Sequence, residues 1–185
     1  MKKVFFHAAG SFILVGIVLT LCVGAIAQSS VRPEHPNPQL MRADWINLNG
    51  EWAFAETDDD TSFLNNATYP DRIVVPFCRE SALSGLGRTG FVKNVWYRRR
   101  IEIPETWTGK NVLLHVGACD WKTAVYINDA PVGVHEGGSA AFAFDITAVL
   151  KPGGNTVVIH AFDDTRSGLQ ACGKQSQKLE SHGCV

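Results

Sequence analysis

The side chains in this chain that offer chemistry are two adjacent acids, Asp163 and Asp164, closing one apolar run, and an amide, Asn94, opening another. Two carboxyl groups cleave a glycosidic bond with retention only when they flank it about 5 Å apart. Neighbours on an extended segment point to opposite faces, so Asp163 and Asp164 cannot flank one bond. A carboxylate pair also suits a calcium ion, which prefers oxygen ligands, but one adjacent pair is too little to assign a metal. His135-Glu136 has no second histidine at the helical spacing of a zinc protease. Gly137-Gly138-Ser139-Ala140-Ala141 lacks the last glycine of a nucleophile elbow and reads as a glycine-rich turn beside a sheet. Gly85-Leu86-Gly87-Arg88-Thr89-Gly90 matches G-x-G-x-x-G in letters. A dinucleotide site needs a helix next, whereas residues 91–97 are β-branched and aromatic and read as strand. His115 and His160 lie inside strand-like runs and read as hydrogen-bonded structural histidines. No catalytic residue, cofactor or metal site is therefore expected.

The elements that must position these groups show a period of two. In residues 121–128, Trp121, Thr123, Val125 and Ile127 share one face, and Lys122, Ala124 and Tyr126 the other. Asn128-Asp129-Ala130-Pro131 gives a turn, because Asn and Asp tolerate left-handed geometry and Pro ends pairing. Phe142, Phe144 and Ile146 alternate, Lys151-Pro152-Gly153-Gly154 turns again, and residues 156–162 form a further strand with Val157, Ile159 and Ala161 on one face. Upstream, Trp52 and Phe54 mark a first strand, residues 73–75 a short one stopped by Pro76, and residues 111–116 another. Residues 95–103 are a strand carrying Arg98, Arg99 and Arg100 in a row. These arginines read either as a solvated face whose stems cover apolar surface or as a clamp for a carboxylate of a neighbouring domain. Residues 56–66 are polar and acidic and read as a loop. Many short strands with Gly, Pro and Asn turns, and no helical period, predict two packed antiparallel sheets.

Composition narrows the class. Lys2 and Lys3, an apolar run over residues 12–23 and Ala25-Ile26-Ala27 read as a secretory signal peptide over residues 1–27. The run is shorter than the roughly 20 residues of a spanning helix, so no stable membrane anchor is expected. Leu21 before Cys22 argues against a lipid-modified cysteine. The protein is expected to be secreted or periplasmic. Its mature part, residues 28–185, has a net charge of −3. That mild, mixed charge gives no basic stripe for nucleic acid. Pro33, Pro36 and Pro38 make residues 28–44 an extended arm rather than a helix. Asn66-Ala67-Thr68 fits a glycosylation sequon and is read as a chance match. Four cysteines remain after the leader: Cys78, Cys119, Cys172 and Cys184. Export permits disulfides in any of three pairings. Cys172 and Cys184 share one turn-rich tail and are candidates to pair. Cys119, on a strand-like run, is expected to be buried.

Several segments in order carry a resemblance: "LNGEWAF" at 48–54, "RIVVPF" at 72–77, "VWYRRRIEIP" at 95–104, then "VGVHEGG", "AFDIT" and "LKPGGNTVVIHAFDD" through 164. Together they resemble the N-terminal sugar-binding domain of glycoside hydrolase family two, the family of β-galactosidases, β-glucuronidases and β-mannosidases. The resemblance implies an all-β, galactose-binding-like jelly-roll β-sandwich over residues 45–164, with an irregular tail at 165–185. It implies carbohydrate, a β-glycoside, as ligand. It also implies a catalytic TIM barrel that this chain does not contain. In β-galactosidases of the family a similar Asn-Val-x-Tyr carries an asparagine that reaches the active site, and Asn94 stands at that position. A family aspartate just after the last long strand touches sugar hydroxyls, and Asp163 or Asp164 falls there in a departing context. The family's closing strand has no counterpart before Val185, so the expected domain exposes a sheet edge. The expected function is the sugar-binding domain of an exported family-two β-glycosidase. The alternative is a stand-alone secreted carbohydrate-binding module or lectin.

Overall fold

A computed structural model of the chain describes residues 31–65 and 67–170. The expected leader, Asn66 of the sequon, and the cysteines Cys172 and Cys184 with the tail beyond residue 170 lie outside the described residues. Eight strands follow in order: β1 (Gly50–Thr57), β2 (Asp71–Val75), β3 (Asn94–Glu102), β4 (Leu113–Val116), β5 (Lys122–Ile127), β6 (Ala130–Glu136), β7 (Phe142–Asp145) and β8 (Gly154–Phe162). The larger sheet runs β2-β1-β3-β8-β5-β6, and β4 pairs with β7 in a second sheet. Every pairing is antiparallel. The described residues contain no helix beyond single 3₁₀ turns. One of these, Pro38–Leu40, lies in the arm read as extended. Proline is tolerated at the start of such a turn, where its missing N–H had no acceptor.

Alternation builds the inner core. Thr123, Val125 and Ile127 of β5 and Val157 and Ala161 of β8 are buried, as the period of two predicts. Trp121 departs from that reading: β5 begins one residue later, at Lys122, and Trp121 sits half-buried before it. From the second sheet, Leu114 joins the same cluster as Phe54 and Ile73. Gly133 of β6 lies flat against Phe144, whose ring a Cβ there would meet at 2.4 Å. That close approach lets the two sheets come together at this corner.

β6 itself departs from the sequence reading, which ended pairing at Pro131. Asn128 and Asp129 have φ of 52° and 65°, the signature of a two-residue hairpin turn whose twist matches the flanking strands. The chain then returns along β5, with Pro131 opposite Tyr126 at a register shift. β6 borders the sheet, so the donor that proline lacks is not required by another strand.

The outer face of the larger sheet holds a second core that the sequence reading missed. Ala55, Trp96 and Val158 are buried there, with Phe63, Leu64, Tyr69 and Tyr126 packed on them. Phe63 and Leu64 of that cover come from residues 56–66, the loop read as merely polar and acidic. Tyr69 donates its hydroxyl to the Phe63 carbonyl at 2.7 Å, and burial pushes its pKa up to about 12. Arg98 lies over the Tyr69 ring at 4.7 Å and donates to the Ala67 carbonyl at 3.0 Å. On the opposite face Arg99 donates to the carbonyls of Leu48 and Asn49 at 2.8 and 2.9 Å. Of these three arginines only Arg100 is solvated, beside Glu102 at 3.2 Å. The arginine triplet thus ties loops to both faces of the sheet, because a strand sends successive side chains to opposite sides. The connection from β2 to β3 is tied down similarly: Arg88 grips Asp71 through two bonds of 2.7 Å and Glu56 through one of 2.9 Å, and Arg79 bonds Glu56 at 2.8 Å. It contains the glycines of the G-x-G-x-x-G stretch and leads into a strand, not a helix.

Both cores should register in stability. Phe54→Ala, at a site with 0% exposure, is expected to lose about 3–5 kcal/mol, and Phe63→Ala on the outer face about 2 kcal/mol. Urea unfolding of the two variants checks this. An unchanged midpoint for Phe63→Ala would mean that the loop merely rests on the sheet.

Candidate functional site

The register of β3 on β8 assembles the site. Asn94, the first residue of β3, stands opposite Phe162, the last of β8. One step on, the Asp163 N–H donates to the Lys93 carbonyl at 2.9 Å. The amide and both acids singled out from the sequence therefore meet at one end of the larger sheet. They do not share a surface. Asn94 shares the outer face with Trp96 and is 7% exposed. Its Nδ2 donates to the Asp59 carbonyl at 3.1 Å, and its Oδ1 lies 2.8 Å from His160 Nε2. With Nδ2 fixed as donor, Nε2 carries the imidazole proton, an assignment from the hydrogen-bond network. The His160 ring stacks on Trp96 at 4.0 Å, and burial lowers its pKa below 6.5.

The acids are held by the segment that follows them. The Gln170 side chain accepts from the Asp164 N–H at 2.9 Å and donates to Asp163 Oδ1. Asp164 lies 3.4 Å from the Lys93 ammonium and 3.9 Å from the Arg166 guanidinium. Arg166 also sits over the Phe91 ring at 3.1 Å. Asp163 faces the other way and lines a cleft of about 700 Å³. This division is the one that alternation predicts for neighbouring residues at a strand end.

The cleft opens on the inner face of the larger sheet. Its floor is Val95 and Tyr97 of β3 with Ile159 and Ala161 of β8. Its walls are the loop after β2, with Phe77, Cys78, Arg79 and Glu80, and the loop after β4, with Ala118, Cys119 and Asp120. Burial raises the Tyr97 hydroxyl pKa well above its usual value, aided by Cys119, Glu80 and Cys78. Cys119, expected on a strand, lies in the β4–β5 loop and is half-buried. Burial pushes its thiol pKa up. Sequence reasoning did not find these wall residues, since loops carry no period. The one available signal was Tyr97, which alternation places with Val95 and Ile101 on the core face.

The bland reading of the histidines fits the geometry at His160, which is hydrogen-bonded, whereas His115 is exposed on β4. His135 stacks on Phe142 at 4.2 Å. Among the described residues no three His, Cys, Asp or Glu side chains are placed to hold a metal ion, and no helix is long and apolar enough to cross a membrane.

Comparison with known proteins fits this architecture. Residues 37–169 match the sugar binding domain of the glycosyl hydrolases family 2. A β-galactosidase of Thermoanaerobacter pseudethanolicus is 37% identical over 129 residues, covering 68% of this chain and 17% of that protein. The β-glucuronidase of Canis lupus familiaris is 28% identical over 159 residues, covering 78% of this chain and 24% of that one. Among solved structures, the β-glucuronidase of Ruminococcus gnavus in complex with C6-substituted uronic isofagomine superposes with a TM-score of 0.57 at 26% identity, over 63% of this chain and 21% of that one. That of Faecalibacterium prausnitzii gives 0.53 at 29% identity, over 63% and 20%. The chain thus spans a quarter or less of the length of these relatives. It belongs to the glycosyl hydrolases family 2, as that family's sugar-binding domain.

Proposed function

We propose that this domain serves an exported β-glycosidase by forming one wall of its sugar pocket, while a catalytic barrel elsewhere in the longer protein breaks the bond. The observation that carries the reading is the β3–β8 register, which brings Asn94, Asp163 and Asp164 to one end of the sheet, where Asp163 alone of the three lines the cleft. Carboxylates and amides hold sugar hydroxyls through paired hydrogen bonds, and aromatic rings cover the apolar sugar face. Asp163 lines the cleft with Tyr97, Phe77 and Phe91 close at hand. Asn94 acts from behind, fixing the strand end through Asp59 and His160, and Asp164 sets the local charge through Lys93. The relatives, named as β-glucuronidases and β-galactosidases, support a β-glycoside as the ligand. The same cleft favours a second reading, a secreted carbohydrate-binding module that works alone.

Calorimetry on the purified chain with a β-glucuronide and a β-galactoside tests both. The expected result is weak binding, on the order of millimolar, to one of them. It should fall about tenfold or more in Asp163→Ala and less in Asn94→Ala, and no chromogenic glycoside should be hydrolysed. Absence of heat with either sugar removes the stand-alone module, and turnover by the chain removes the division of labour.

The Asn94–His160 pair gives a pH dependence with a definite sign. Burial holds the folded-state pKa of His160 below the ordinary imidazole value of 6.5, so the unfolded chain binds the proton more readily. Stability from this group is complete above pH 6.5 and declines as pH falls toward the folded pKa. His160→Gln should flatten that part of the curve. Denaturant midpoints between pH 7.5 and 5 for both proteins are the check, and parallel curves would exclude the linkage.

A further inference from the structure

Glu56 on β1 faces the same side of the sheet as Trp52 and Phe54 and stands opposite Val95 of the cleft floor. It does not itself line the cleft. The loop between β2 and β3 does, through Phe77, Arg79, Glu80 and Phe91. Between Arg79 and Arg88 this loop closes on itself. The Arg88 N–H donates to the Arg79 carbonyl at 2.8 Å, and Ser84, with 0% exposure, donates to the Ser81 carbonyl at 2.7 Å. The lobe so closed keeps its own shape, and its place over the sheet is set by what it grips there. Leu86 packs on the inner core, a contact that attracts without fixing a direction. Direction comes from Glu56, which accepts from Arg79 Nε through one oxygen at 2.8 Å and from Arg88 Nη1 through the other at 2.9 Å. Of these two arginines Asp71 bonds only Arg88. Arg79 carries the constraint across the loop, because its Nη1 also donates to the Gly90 carbonyl at 2.7 Å.

We infer, on the reading of the cleft as a sugar site, that Glu56 is its positioning residue: one carboxylate behind the wall that sets how far Phe77 and Phe91 stand from the floor. It bonds both limbs of the loop at once, so it fixes Arg79 and Arg88 relative to β1 and to each other. The side chains of Glu56 and Arg79 are 21% and 12% exposed, so water competes weakly for a bond between two charged groups, which is the stronger kind. A guanidinium suits this task, since its rigid fork holds Glu56 and the Gly90 carbonyl together, and the point charge of a lysine does not. Arg88, inside the G-x-G-x-x-G stretch, thereby gains a role as an anchor of the wall. A loop that drifts outward leaves a bound sugar with one wall fewer, and apparent affinity falls with the fraction of molecules whose wall is in place.

Limited trypsin digestion and calorimetry on the full chain test this together. Glu56→Gln keeps the shape of the side chain and removes its charge. Cutting after Arg79 and after Arg88 should become about tenfold faster or more, while cutting after Lys110, between β3 and β4, stays the same and serves as the reference. The Kd for methyl β-glucuronide or methyl β-galactoside, whichever the wild-type chain binds, should rise about threefold or more. Asp71→Asn should speed cutting after Arg88 only and leave the Kd unchanged. Arg79→Lys should raise the Kd as Glu56→Gln does, and it decides the matter if the Glu56 variant fails to fold. Unchanged cutting after Arg79 in Glu56→Gln would overturn the inference. So would faster cutting with an unchanged Kd, or an equal rise in Kd in Asp71→Asn. Each of these results leaves the sugar site standing. Binding of neither glycoside by the wild-type chain removes the sugar site and, with it, the role of Glu56.

Discussion

The pairing of β3 with β8 is the constraint on which the rest of the structure hangs. Nine residue pairs lie in unbroken register, from Asn94 opposite Phe162 to Glu102 opposite Gly154. The two strands are separated by more than fifty positions in sequence, so the ladder forms only after a long loop has closed. Once formed, it supplies the border on which β1 pairs from one side and β5 from the other. A slip by one residue would turn Val95 and Tyr97 outward and Trp96 inward, exchanging the two cores. The same ladder puts an amide and two acids at one end of the sheet, so fold and candidate site share a single cause.

The larger sheet must cover both faces, and it does so by different means. On the inner face β4 and β7 supply a short second sheet, and Gly133 clears the space for Phe144. On the outer face a loop lays Phe63, Leu64 and Tyr69 over Trp96. Two arginines on neighbouring positions of one strand secure the two sides. Arg98 reaches the main chain of the outer loop, and Arg99 reaches the segment that leads into β1. A buried amide does similar work at the far end. Asn155, 1% exposed, donates to the carbonyls of Lys151 and Gly153 and accepts from Lys151 N–H and Asn128 Nδ2. Every hydrogen-bonding position of that side chain is filled, which is the condition for burying it without loss. Where neither sheet nor loop reaches, over Val95, Tyr97, Ile159 and Ala161, the inner face forms the cleft floor.

Much of this was legible in residue order, and the failures have identifiable causes. Alternation located β1, β3, β5 and β8 because each sends every second side chain into the inner core. β6 was missed because Pro131 reads as a stop, and its tolerance depends on the strand being a border, a property of topology. The outer cover was missed because Phe63, Leu64 and Tyr69 follow no period and stand among acids. Trp121 was assigned to β5 by its spacing, although the strand begins at Lys122. Alternation correctly implied that Asp163 and Asp164 point apart. Their nearness to Asn94 came from the resemblance, since register across fifty residues leaves no local mark. The cleft walls are loops, and loops are positioned by what they bond to.

The two borders of the larger sheet are chemically unlike. At one of them Pro131 removes an amide hydrogen from β6, beside a register shift. The opposite border, β2, runs Asp71-Arg72-Ile73-Val74-Val75 with no proline until Pro76 and with Arg72 exposed next to Glu51. Strand-by-strand recruitment of a foreign backbone is thus impeded at the β6 rim and opposed mainly by charge at the β2 rim. Any tendency of this sheet to polymerise would be polar, growing from β2, and would answer to ionic strength.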